Sequence, residues 1–92
     1  MNKAIKALLT TLLSQRKIGG NHAPEKHLLV SKTRWLSKPE KKGFEKEYKE
    51  LINNQTILRT KKRTGKGFDW HISLNPKSVK ETYEQITKEE SS

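Results

Sequence analysis

At residue 57 the spacing of apolar side chains changes from three or four positions to two, and this switch confines the chain to helices followed by a β-hairpin. Upstream, Ile5, Leu8, Leu9, Leu12 and Leu13 recur at i, i+3, i+4, i+7 and i+8, the stripe of a helix packed on one core. Phe44, Tyr48, Leu51 and Ile52 repeat that spacing in a later helix. Downstream, Phe68, Trp70, Ile72 and Leu74 alternate strictly with Asp69, His71 and Ser73, as in a half-buried strand.

Punctuation residues set the boundaries. Asn2 is placed to cap the first helix and Gly19-Gly20 to end it. Pro24 suits the first turn of a short helix carrying Leu28, Leu29 and Val30, because its missing N–H would be unpaired there anyway. The segment 31–37, with Trp35 inside, is longer than the three or four residues of a compact turn. Ser37-Lys38-Pro39-Glu40 reads as a capping box opening the third helix, and Asn53-Asn54 as its exit through a left-handed residue. Ile57, Leu58 and Arg59 start a strand, and residues 61–67 (Lys-Lys-Arg-Thr-Gly-Lys-Gly) form a tight basic hairpin tip. Asn75-Pro76 breaks the second strand. Ser78 and Glu81 offer another capping box, and Val79, Tyr83 and Ile86 mark a terminal helix. The expected fold is mainly α with a small β-hairpin (α+β), one domain over 1–88 with a frayed tail at 89–92. Phe44, Tyr48, Phe68, Trp70 and Tyr83 could stack on unpaired bases but all fall on apolar periods and are expected in the core; Trp35 either stacks on such a base or plugs the long connection.

Charge decides the class of partner. The 92 residues hold 20 Lys+Arg against 10 Asp+Glu, a net charge of +10, with net +4 in each of the segments 1–20 and 57–74 and −1 in 75–92. Such a field concentrates polyanions, which means nucleic acid or an anionic membrane. Within the third helix Lys42, Lys46, Lys49 and Asn53 share the face opposite the apolar stripe, while the acids Glu40, Glu45, Glu47 and Glu50 fall toward the flanks. Lysines on one exposed helix side suit phosphate contact better than base reading; Asn53 is the one member of the line suited to adenine. Arg59, Lys61, Lys62, Arg63 and Lys66 crowd the hairpin, where a polyanion would relieve their repulsion.

Other chemistries find little support. There is no cysteine, hence no thiolate nucleophile and no disulfide, which fits a reducing compartment. His22, His27 and His71 lack metal-ligand spacing. Gly65-Lys66-Gly67 is not a phosphate-loop pattern. Apolar runs such as residues 7–9 are far short of a bilayer span. No enzyme activity, cofactor, metal or membrane partner is expected.

The order helix, short helix, helix, two-stranded hairpin, helix resembles the winged helix-turn-helix superfamily, over roughly residues 2–86. The stretches Gly20-Asn21-His22-Ala23-Pro24-Glu25 and Trp70-His71-Ile72-Ser73-Leu74-Asn75-Pro76 look like those of small archaeal winged-helix DNA-binding proteins. The resemblance implies a recognition helix over 37–53, with Lys38, Lys41, Lys42, Lys46, Lys49 and Asn53 facing double-stranded DNA. It also implies a wing over 59–67 whose Arg59, Lys61, Lys62, Arg63 and Lys66 follow the phosphate backbone, Arg63 being suited to a narrow minor groove. A cytoplasmic, nucleoid-associated transcriptional or chromosomal factor is the function implied, with a homodimer open to it. RNA binding and a protein-interaction role without catalysis are the alternatives.

Overall fold

The first helix, α1 (Lys3–Ser14), starts at the expected cap: the Ala4 N–H donates to Asn2 Oδ1 at 2.8 Å. Ala4, Ile5, Leu8, Leu9 and Leu12 are buried and Leu13 packs at the edge of the same cluster. The helix stops at Ser14, well before the glycine pair, because Arg16 turns into the left-handed region at φ 54°. The chain is thereby freed to pair with Leu74, whose N–H donates to Lys17 O at 2.8 Å and whose carbonyl accepts from Gly19 N at 2.9 Å. Pairing of buried backbone groups outweighs another turn of exposed helix. The computed structural model describes residues 1–90 of the chain.

Ala23 and Pro24 form a short strand, β1, so Pro24 is the extended residue before the helix rather than its first turn. Helix α2 (Glu25–Thr33) continues three residues past Val30, with the Thr33 hydroxyl donating to Leu29 O at 2.6 Å. The link to α3 (Lys38–Asn53) is therefore only the four residues 34–37, and the long connection expected from the sequence does not exist. Leu36 fills the space beneath this turn at 9% exposure, whereas Trp35 is 60% exposed. The capping box at Ser37 and Glu40 is formed in both directions. Phe44 and Tyr48 are buried and stack with ring centroids 5.8 Å apart; Leu51 and Ile52 are half-buried. The left-handed exit residue is Gln55, at φ 64°, and neither asparagine. Asn54 instead accepts from Thr56 N through its side chain, and Asn75 Nδ2 donates to the Gln55 carbonyl.

Strands β2 (Ile57–Thr64) and β3 (Gly67–Leu74) pair antiparallel without a break from Ile57↔Leu74 to Thr64↔Gly67, and β1 pairs with β3 on its other side, giving the order β1-β3-β2. The turn is only Gly65-Lys66. Ile57, Ile72 and Leu74 are buried at the core end of the ribbon, but Phe68 is 60% and Trp70 41% exposed. These two rings were expected inside. Alternation assigns a residue to a face, and the helices cover only one end of that face. The ribbon projects beyond them, and the radius of gyration of 13.2 Å exceeds the about 12 Å of a compact chain of this length.

Asn75 opens a single 3-10 turn (Pro76–Ser78), its Oδ1 accepting from Lys77 N at 3.0 Å, three residues ahead of the expected box at Ser78. Helix α4 (Val79–Glu90) buries Thr82 and Ile86, with Val79 packed at the edge of the core. Tyr83, one position off this i, i+3, i+7 line, is 62% exposed and not a core residue. Glu89 and Glu90 are helical rather than frayed, and Lys6 Nζ lies 3.6 Å from Glu90; Ser91 and Ser92 fall outside the described residues. Over the described residues the fold is α+β, four helices with a three-stranded antiparallel sheet.

Candidate nucleic-acid interface

Helix α3 turns about 100° per residue, so burying Phe44 and Tyr48 directs Lys42, Lys46, Lys49 and Asn53 outward, and all four are exposed. Lys38 is exposed near this line, whereas Lys41 is exposed in the first turn on the side of Phe44 and Tyr48. Two of the four acids on the helix are engaged within the fold. The Ser37 hydroxyl and backbone hold the Glu40 carboxyl below its usual range, and Glu47 accepts from Asn2 N at 3.2 Å. Among the described residues no α3 lysine takes part in an ion pair.

The wing cations are arranged differently from the crowded loop expected. Only Lys66 sits in the turn; Arg59, Lys61, Lys62 and Arg63 are strand residues. Strand alternation puts Arg59, Lys61 and Arg63 on one face and Lys62 on the other. On the first face Lys61 lies opposite Trp70 and Arg63 opposite Phe68; on the second Lys62 lies opposite Asp69. The guanidinium carbon of Arg59 is 4.0 Å from the Trp70 ring centroid, and Lys61 Nζ is 4.5 Å from that of Phe68. The charges are thus spaced along the ribbon, and those of Arg59 and Lys61 are stabilised by ring faces.

Arg59 serves the fold as well as the face. Its Nε donates to Glu25 Oε2 at 2.7 Å and its Nη2 to Oε1 at 2.8 Å, while the Tyr48 hydroxyl donates to Oε2 at 2.6 Å. Burial pushes the Glu25 carboxyl up, but the bonds from Arg59 and Tyr48 and the arginine charge overcome it and hold the group below its ordinary value. Burial and Glu25 together raise the Tyr48 phenol, so it stays a donor. One carboxylate therefore joins the start of α2, the middle of α3 and the base of the wing. Glu25 was missed in the sequence, although it is the single acid of residues 21–36 and directly follows a proline. Its partners stand 34 and 23 positions away, beyond any local pattern.

Two further features adjoin the wing. His22 Nδ1 and His71 Nδ1 are 2.8 Å apart, one ring donating and the other accepting, with the rings edge to face. Burial, the His22 ring and Lys62 lower the His71 pKa. His27 is exposed and stands apart from this pair. Between α2 and the wing lies an open groove of about 750 Å³, with Leu29 and Val30 on one side and Phe68 and Trp70 on the other. Among the described residues no three potential metal-ligating side chains converge, and no helix is long and apolar enough to cross a membrane. Comparison with family models, with curated proteins and with solved structures finds no match to this chain.

Proposed function

We propose that the chain is a winged helix-turn-helix module that binds double-stranded DNA through α3 and the β2-β3 wing, without catalytic activity of its own. The observation that carries this reading is the fully exposed line Lys42, Lys46, Lys49 and Asn53 on α3, set against a helix face locked to the core by Phe44 and Tyr48. The four-residue link 34–37 supports it, being the length of a compact helix-turn-helix, as does the sheet order β1-β3-β2 with β1 ahead of α2. Glu25, Tyr48 and Arg59 brace α3 against the wing, so both positive elements are presented as one unit. Lysines dominate the face, so backbone contact outweighs base reading, as in a chromosome-associated or weakly selective regulatory protein.

Binding is governed by counterion release. With six to eight phosphate contacts, the logarithm of duplex affinity falls with the logarithm of salt at a slope of about −5 to −7. Replacing Lys42, Lys46 and Lys66 by glutamate weakens binding strongly and makes the slope shallower, whereas the same changes at Lys3, Lys77 and Lys80 have a small effect. Fluorescence anisotropy with a labelled duplex over a salt series measures both. A slope near zero, or equal losses from the two sets, rejects the proposed face.

A further inference from the structure

The wing carries aromatic surface as well as charge. Along the face that begins at Ile57 and Leu74 in the core, the outer half places Lys61 opposite Trp70 and Arg63 opposite Phe68, so cations and rings alternate toward the tip. Arg59 and Lys61 lie over the two rings, yet Trp70 and Phe68 remain substantially open to solvent. Both line the groove of about 750 Å³ whose other wall is Leu29 and Val30, with Lys26 beside them; of its two carboxylates, Glu25 is paired with Arg59 and Asp69 stands opposite Lys62. That volume lies within the about 300–1,000 Å³ typical of small-molecule sites.

The surroundings select the occupant. An aliphatic peptide segment or an acyl chain would satisfy the apolar walls but would leave the cations unanswered, and residues 57–74 carry a net +4. A ligand with flat rings at intervals and negative charge between them answers both: bases stack on aromatic side chains while phosphates meet lysine and arginine. A base inside a duplex already has both faces covered by its neighbours. Only an unpaired base offers a free face.

We propose that the groove between α2 and the wing is a stacking site for an unpaired nucleobase, so that the protein prefers duplexes bearing a single-stranded end or gap over fully paired ones. The inference rests on the nucleic-acid reading for its ligand class and narrows that class.

The test uses the full chain with Trp35→Phe, which leaves Trp70 as the sole tryptophan of the two in the sequence. Three probes are compared: a blunt duplex, the same duplex with a short oligothymidine tail on either strand, and free oligothymidine. The tailed duplex binds more tightly than the blunt one, and both tailed duplex and oligothymidine quench Trp70 emission. Phe68→Ala lowers affinity for the tailed duplex by about 5- to 150-fold per stacked base and lowers that for the blunt duplex far less, so the preference for the tail shrinks. Phe68→Leu, which keeps an apolar strand residue without a ring, gives the same loss and guards against a folding artefact. Absence of quenching with no gain from the tail overturns the proposal. Equal loss on blunt and tailed duplexes also overturns it, since the ring would then contact only paired DNA. Loss of blunt-duplex binding with quenching by oligothymidine retained removes the duplex reading and supports the stacking site.

Discussion

Arg59 holds Glu25 through two parallel hydrogen bonds of 2.7 and 2.8 Å, and this pair fixes the base of the wing to the first turn of α2. The same carboxylate takes the Tyr48 hydroxyl, so three elements distant in sequence share one acceptor. Paired and hydrogen-bonded in this way, a carboxylate at 9% exposure is tolerated.

Breaking the pair from either side therefore lowers stability. Glu25→Gln is expected to cost about 1–3 kcal/mol, less than a fully buried pair because the arginine side chain is 35% exposed. Arg59→Lys keeps the charge and loses the fork, costing about 1 kcal/mol. Urea unfolding reads both, and a change in Trp70 emission should accompany them because Arg59 lies on its ring. An unchanged midpoint in both variants would show that the pair carries no stability.

Acid acts first through His71 and then through the carboxylates Glu25 and Glu40. His71 has its pKa lowered in the fold, so the folded state binds fewer protons than the unfolded one; its contribution is complete above the ordinary value of 6.5 and is lost as pH falls through the lower folded value. Glu25 behaves alike around its own range: its contribution is complete above 4.5 and is lost below, as pH falls through the depressed value. Stability measured from pH 8 to about 3 should decline in two stages. His71→Asn should remove the upper stage and Glu25→Gln should shrink the lower, the remainder coming from Glu40.

Two left-handed residues offer stabilising changes. Arg16 at φ 54° and Gln55 at φ 64° both carry a β-carbon in a region that glycine enters freely. Arg16→Gly and Gln55→Gly should each stabilise by about 0.5–1 kcal/mol, the relief of strain exceeding the entropy cost of glycine. Thermal melts decide it; a lower melting temperature in both would show that local hydrogen bonds already offset the strain.

The four-residue link 34–37 separates two adjacent side chains. Leu36→Ala is expected to cost about 2–3 kcal/mol because it empties buried space, and Trp35→Ala to change stability by less than about 0.5 kcal/mol because its ring is solvent-exposed. Comparable losses would place Trp35 against the core.

Much of the fold was legible because it is local. The cap at Asn2, the box at Ser37 and Glu40, the stripe Ile5 to Leu12 and the alternation ending at Leu74 depend on neighbours within about four residues, where helix and strand geometry fix who meets whom. The α3 lysine line was readable for the same reason. Helix ends were less so: α1 stops early to let residues 17–19 pair with Leu74, and α2 runs on through polar residues because Thr33 bonds back to Leu29.

The sequence by itself determined the order of the four helices and the hairpin, the periods that sort each one into inner and outer faces, and the sign of the field around them, but not the short strand β1 that completes the sheet. Only the tertiary structure decided how far the core reaches along the hairpin. That reach left Phe68 and Trp70 in solvent and turned a presumed basic loop into a ladder of cations and rings. It likewise decided that Arg59 is braced by Glu25, and that α2 and the wing enclose a groove. Periodicity states which way a side chain points, whereas burial depends on what the rest of the chain brings to that side, and here the partners lie tens of residues away.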